Sequence, residues 1–64
     1  MKDRGEEAPS RLLSIKELSD FLQVPVSTIY DWRYRREAPK AIKVGKFLRF
    51  DVHEVMKWLE RRSR

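Results

Sequence analysis

Leu13-Ser14-Ile15-Lys16-Glu17-Leu18 and Phe50-Asp51-Val52-His53-Glu54-Val55 are written in one grammar: apolar residue, short polar residue, two positions, glutamate, apolar residue. That order is a helix start. The oxygen of Ser14 or Asp51 can accept from the amide three residues on, and Glu17 or Glu54 can reach back to the cap's own N–H. The flanking pairs, Leu13 with Leu18 and Phe50 with Val55, close as hydrophobic staples. Working outward, the first box opens a helix over about Ile15 to Leu22, with Ile15, Leu18 and Leu22 on one face. The second opens a helix over about Val52 to Arg62. That helix is expected to bury Val52, Val55, Met56 and Leu59, with Trp58 at the edge of the stripe. Arg61 and Arg62 then fall in a final turn where the helix dipole favours cations. A contact with nucleic acid is the other reading of that pair.

Gln23-Val24-Pro25 interrupts the first helix. Proline is tolerated at the first position of a new helix and disfavours helical geometry in the residue before it. A second helix is therefore expected from about Pro25 to Arg35, stopping before Pro39. At 100° per residue Pro25, Ile29 and Trp32 point inward, whereas Ser27, Tyr30, Asp31 and Tyr34 share the opposite face with Thr28 and Arg35 on its flank. Two short helices joined in this way make a helix-turn-helix. Trp32 and Trp58 are expected in the core.

Ala41 to Phe50 reads as a β-hairpin. A two-residue Gly45-Lys46 turn pairs Val44 with Phe47 and sets Ile42 and Val44 on the face opposite Leu48 and Phe50. A three-residue loop, Gly45-Lys46-Phe47, pairs Val44 with Leu48 and Ile42 with Phe50. All four apolar residues then share one face, so the three-residue loop is the expected register. In it Lys43 stands across from Arg49, a like-charge pair that an anionic partner would relieve or that splays into water.

Charge is placed unevenly. The chain has 64 residues with 15 Lys and Arg against 10 Asp and Glu, a net charge of +5. Residues 33–49 hold seven of the cations (Arg33, Arg35, Arg36, Lys40, Lys43, Lys46, Arg49) against Glu37 alone, whereas residues 1–32 are net acidic. Such a block in a small domain is the footprint of a polyanion binder or a solvated face. With no cysteine and only His53, disulfides, thiolate metal sites and cysteine nucleophiles are excluded and no cofactor is expected. No apolar run approaches a bilayer span, and the polar start Met1 to Glu7 is no secretory leader. Residues 1–10 are expected to form a flexible tail and residues 11–64 a single domain in the cytoplasm.

Ser14-Ile15-Lys16-Glu17-Leu18, Val24, Thr28-Ile29-Tyr30, Trp32, Lys43-Val44-Gly45-Lys46, Leu48-Arg49-Phe50 and Trp58-Leu59 together resemble the small winged-helix excisionases, of the AlpA-like, MerR-like helix-turn-helix type. The resemblance covers about residues 12–62 and implies a small α+β fold, three helices with a two-stranded β-hairpin wing. It further implies a second helix in the major groove and a wing along the backbone or the adjacent minor groove. Gln23, Arg36 and Ala38 stand where glycines are common in that family, and Pro25 where a capping serine is common. Arg36 is strained if it must adopt positive φ.

Carried onto this chain, Ser27, Thr28, Tyr30, Asp31, Tyr34 and Arg35 are the candidates on the reading helix. Ser27 and Thr28 can equally serve as caps or solvent-facing polar groups. Asp31 cannot bind phosphate; it either accepts from a cytosine amino group or orients Arg35 four residues on. Arg33, Arg36, Lys43, Lys46 and Arg49 are expected on the backbone, setting position and not sequence. The expected function is that of a recombination directionality factor: it binds attachment-site DNA and helps an integrase excise a phage or integrative element, with further copies of itself alongside. The alternatives are a small transcriptional regulator and a protein-interaction module. No nucleophile–base pair, paired carboxylates or phosphate-cradling glycine loop can be assembled, so neither an enzyme nor a small-molecule ligand is expected.

Overall fold

Ser14 starts the first helix as its spacing requires. The Glu17 amide donates to Ser14 Oγ at 3.1 Å, and the Ser14 amide donates to Glu17 Oε1 at 2.9 Å. That backbone hydrogen bond is the main reason the Glu17 carboxyl lies below the usual carboxylate range, with Arg11 and Arg49 adding to the effect. In the computed structural model, which describes residues 11–63, the elements are β1 (Leu12–Leu13), α1 (Ile15–Leu22), α2 (Val26–Tyr34), β2 (Ala41–Val44), β3 (Phe47–Asp51) and α3 (Val52–Arg62). The N-terminal tail expected over residues 1–10 lies outside the described residues. The three helices and the wing are those expected, and α1 and α3 have the expected bounds. The sheet gains a strand, because Leu12 and Leu13 pair antiparallel with Asp51 and Phe50, giving the order β1-β3-β2.

The second helix start differs from the first. Asp51 accepts from the His53 amide at 3.1 Å, so Asp51 caps α3 one position earlier than a full capping box would. Asp51 is also the last residue of β3, in register with Leu12, and the Val52 amide donates to the Arg11 carbonyl. Held in the sheet on one side and the helix on the other, Asp51 caps α3 through the His53 amide in place of the expected reciprocal box with Glu54.

Leu13, Leu18, Ile29, Phe50 and Val55 form the buried core, with Ile15, Leu22, Val24, Trp32, Ala41, Leu48, Val52 and Leu59 packed around it. Each helix and both long strands contribute. Trp58, 8% exposed, belongs to the core as expected. Two residues depart from expectation: Met56 is 51% exposed, and Pro25 also faces solvent. The inward stripe of α3 is therefore centred on Val55 and Trp58, rotated away from Met56. Trp58 packs against Trp32 with ring planes tilted by 51° and centres 5.4 Å apart, and its Nε1 donates to the Glu37 carbonyl at 2.8 Å. Among the described residues no helix is long and apolar enough to cross a membrane.

The wing register is the two-residue alternative, a correction to the expected three-residue loop. Val44 pairs with Phe47, Lys43 with Leu48, Ile42 with Arg49 and Ala41 with Phe50. Turn chemistry decides it. Gly45 takes a φ of 62°, the left-handed geometry that the first position of a two-residue type II′ turn demands. A three-residue loop would instead put the left-handed residue third, at Phe47, where a bulky side chain disfavours it. Consequently Lys43 does not oppose Arg49. Ile42, Val44, Phe47 and Arg49 face away from the core, and Ala41, Lys43, Leu48 and Phe50 share the other face.

Candidate nucleic-acid interface

The α1–α2 turn is built from hydrogen bonds a sequence scan does not reveal. Gln23 has a φ of 59°, its amide bonds the Asp20 carbonyl, and the Val24 amide bonds the Ser19 carbonyl. This is the Schellman pattern. The buried Ser19 hydroxyl donates back to the Val24 carbonyl, locking the turn. The end of α2 repeats the motif: Arg36 has a φ of 62°, its amide bonds the Arg33 carbonyl, and the Glu37 amide bonds the Trp32 carbonyl at 2.7 Å. A non-glycine residue thus occupies the left-handed position at both helix ends, and for Arg36 this is the strained case. Trp58 Nε1 on the Glu37 carbonyl and the buried Pro39 then pin the segment that leads from α2 into the wing.

On α2, Ile29 is fully buried and Trp32 half-buried, which turns the other face outward. Ser27, Tyr30, Asp31, Tyr34 and Arg35 are exposed along it, and Thr28 is half-buried on its flank. Tyr34 is 89% exposed, too open for a packing role. Asp31 and Arg35 are brought together as an ion pair one turn apart, and Arg35 also lies 3.8 Å from Glu37 Oε1. Arg35 is therefore oriented by two carboxylates. Pro25, the residue before the helix, supplies no side-chain cap; its carbonyl takes the Thr28 amide, and the Val26 and Ser27 amides are left without a side-chain cap at the positive end of the helix dipole.

The basic candidates divide in two. Arg33, Arg36, Lys43 and Lys46 are exposed, and among the described residues none has an ion-pair partner. Arg49 is half-buried; it donates to the Leu48 carbonyl, and its guanidinium lies 5.3 Å from the Phe47 ring centre. Arg62 is tied up as well, 4.9 Å from the Trp32 ring and 5.1 Å from the Trp58 ring. It serves as a clamp joining α3 to α2, beyond the dipole contact expected of it. Sequence reasoning missed Phe47, which the structure leaves half exposed beside the wing turn. The signal was present in glycine at the first loop position.

A short first helix, a turn, a second helix with an exposed polar face and a basic hairpin define a small winged helix-turn-helix. The helix-turn-helix domain family model matches residues 12–63, and the chain belongs to that family. It is a small DNA-binding helix-turn-helix protein. No curated protein matches the chain.

Proposed function

We propose that the chain is an excisionase-type recombination directionality factor. The observation that carries its DNA side is the separation of cations: among the described residues those of α2's end and the wing lack carboxylate partners, apart from Arg35, while the start of α1 is capped and ion-paired. Unpaired cations beside open helix-start amides suit phosphate. In this reading Ser27, Thr28, Tyr30, Tyr34 and Arg35 meet the major groove, with Asp31 holding Arg35 in a fixed orientation. Arg33, Arg36, Lys43, Lys46 and Arg49 meet the backbone and set the register. The resemblance of the ordered motifs over residues 12–62 to the winged-helix excisionases supports the recombination role.

The protein then acts as an architectural factor and not as an enzyme, at the nucleoid of a bacterial host. It binds repeated sites in an attachment region beside neighbouring copies of itself, bends the duplex and promotes excision by an integrase. Footprinting on the attachment site of the element, with and without integrase, tests this alongside an excision assay. Protection within the attachment site and a rise in excised product are expected. Protection confined to a promoter, with excision unchanged, makes the chain a transcriptional regulator and overturns the proposal. An interaction module predicts that charge reversal at Lys43, Lys46 and Arg49 leaves partner binding intact.

A further inference from the structure

The wing carries a second chemistry beside its charge. Val44 and Phe47 form the last rung of the ladder before Gly45-Lys46, on the face turned away from the core. Phe47 is 54% exposed and Val44 48%. Residues of that size gain from burial, and neither packs on the core. Arg49 lies over the Phe47 ring, steadying it and placing a cation at its edge. Arg49 shares the face of this pair and Lys46 stands in the turn beside it, and residues 38–50 contain no carboxylate.

This combination selects the occupant. A protein surface that covered the apolar pair would leave those cations without counter-charge unless it were itself acidic. A minor groove offers both halves at once: two phosphate rails for the cations, and sugar and base edges between them against which apolar side chains insert. The chain's helix-turn-helix already brings duplex DNA to the neighbouring helix. We propose that Phe47, backed by Val44, is an apolar wedge that the wing presses into the minor groove beside the α2 site, partly unstacking one base step and kinking the duplex toward its major groove. The inference rests on the DNA reading of α2 and the wing given above and adds a residue that reading does not use. It also assigns a preference. The guanine amino group projects into the minor groove, so a wedge favours flanking steps without it.

Duplexes selected from a random pool with the wild-type chain, labelled at both ends for energy transfer, report affinity and bend together. Phe47→Ala is expected to lose most of the bend and about tenfold in affinity, ~1.4 kcal/mol, with the salt dependence unchanged. Phe47→Leu keeps an apolar wedge and most of the bend. Phe47→Lys adds a phosphate contact, steepening the salt slope by about 0.9, yet bends no better than Phe47→Ala. Inosine in place of guanine in the flank removes the minor-groove amino group and leaves the major-groove edge unchanged. It tightens binding of the wild type and not of Phe47→Ala. A Phe47→Ala chain that bends DNA as the wild type does overturns the wedge, as does equal tightening of both chains by inosine. A concentration-dependent dimer that Phe47→Ala abolishes, with bending intact, assigns the patch to a second copy and overturns it too. If the wild type selects no duplex, the reading of α2 falls and takes the wedge with it.

Discussion

α1 and α2 are neighbours of nearly equal length that treat their polar groups in opposite ways. At α1 the helix start is closed by a reciprocal capping box, Lys16 pairs with Asp20, and Glu17 lies near Arg11. At α2 no side chain caps the start, and the cations after it mostly stand alone. The same contrast separates the two ends of the basic sequence: Arg62 lies over two tryptophans, while Arg33, Arg36, Lys43 and Lys46 are exposed and have no ion-pair partner among the described residues. A polar group satisfied internally stabilises the fold. One left open beside others of its sign raises the free energy of the isolated protein and is relieved by an anion. The scaffold and the reading surface can thus be told apart by where hydrogen bonds and counter-charges end.

Substitutions on the two sides of that divide should separate into losses of stability and losses of binding. The largest effect is expected at Phe50, fully buried on the central strand β3 where it is paired with Leu13 and Ala41. Phe50→Ala should cost about 3–5 kcal/mol, most of what a domain this small has, and urea titration should find it at or past the edge of folding. Tyr34→Ala, on the open face, should stay within about 0.5 kcal/mol of wild type in the same titration while weakening duplex binding. Loss of Tyr34 that unfolds the chain would break the comparison.

Arg62→Ala removes the cation from both tryptophan faces and should cost about 1 kcal/mol, with no change in the salt slope of DNA binding. Ser14→Ala opens the capping box for about 1 kcal/mol, again with binding untouched once the chain is folded. Arg36→Gly should cut the other way. Relief of the left-handed backbone raises stability by about 0.5–1 kcal/mol, while the lost cation makes the salt slope shallower by about 0.9. A gain in both properties would show that Arg36 does not meet phosphate.

The smallest effect is a pH dependence at Glu17. Its carboxyl titrates lower in the folded chain than in the unfolded one, so its contribution is complete above the unfolded value, near 4.5. That contribution should fade as pH drops through the lower folded value. Thermal melts from pH 6 to pH 3 should show this acid loss reduced in Glu17→Gln, which accepts a hydrogen bond but carries no charge.

Helix starts, helix faces and the basic block were legible because each depends on residues within one or two turns. Ser14, Asp51, Ile29 and the outward Tyr30 and Tyr34 fall where local spacing puts them. Elements set by distant partners were not. β1 is two residues long and exists through its pairing with Phe50 and Asp51, and Asp51, held in that pairing, makes a single cap bond with the His53 amide in place of the box. Met56 lies outside the inward stripe because the Trp32 ring and the Glu37 carbonyl, both far along the chain, draw Trp58 to its centre. The wing register differs from expectation because one shared apolar face favours a three-residue loop, whereas Gly45 follows the rule of the two-residue turn. The exposure of Phe47 follows from that register. At the candidate site the side chains of α2 were readable from the helical wheel, whereas the tie between Arg35 and Glu37 needed the fold of the second Schellman turn.

The division between open and satisfied cations is tested most directly by the salt dependence of duplex affinity in two chains of equal charge. In one, Arg33, Arg36, Lys43 and Lys46 are changed to glutamine; in the other, Arg11, Lys16, Lys57 and Arg61 are. With each phosphate contact contributing about 0.9 to the slope of log affinity against log salt, the first should be shallower than wild type by about 3.6, and the second should match wild type. Equal slopes in the two variants would contradict the assignment of phosphate contacts to the end of α2 and the wing.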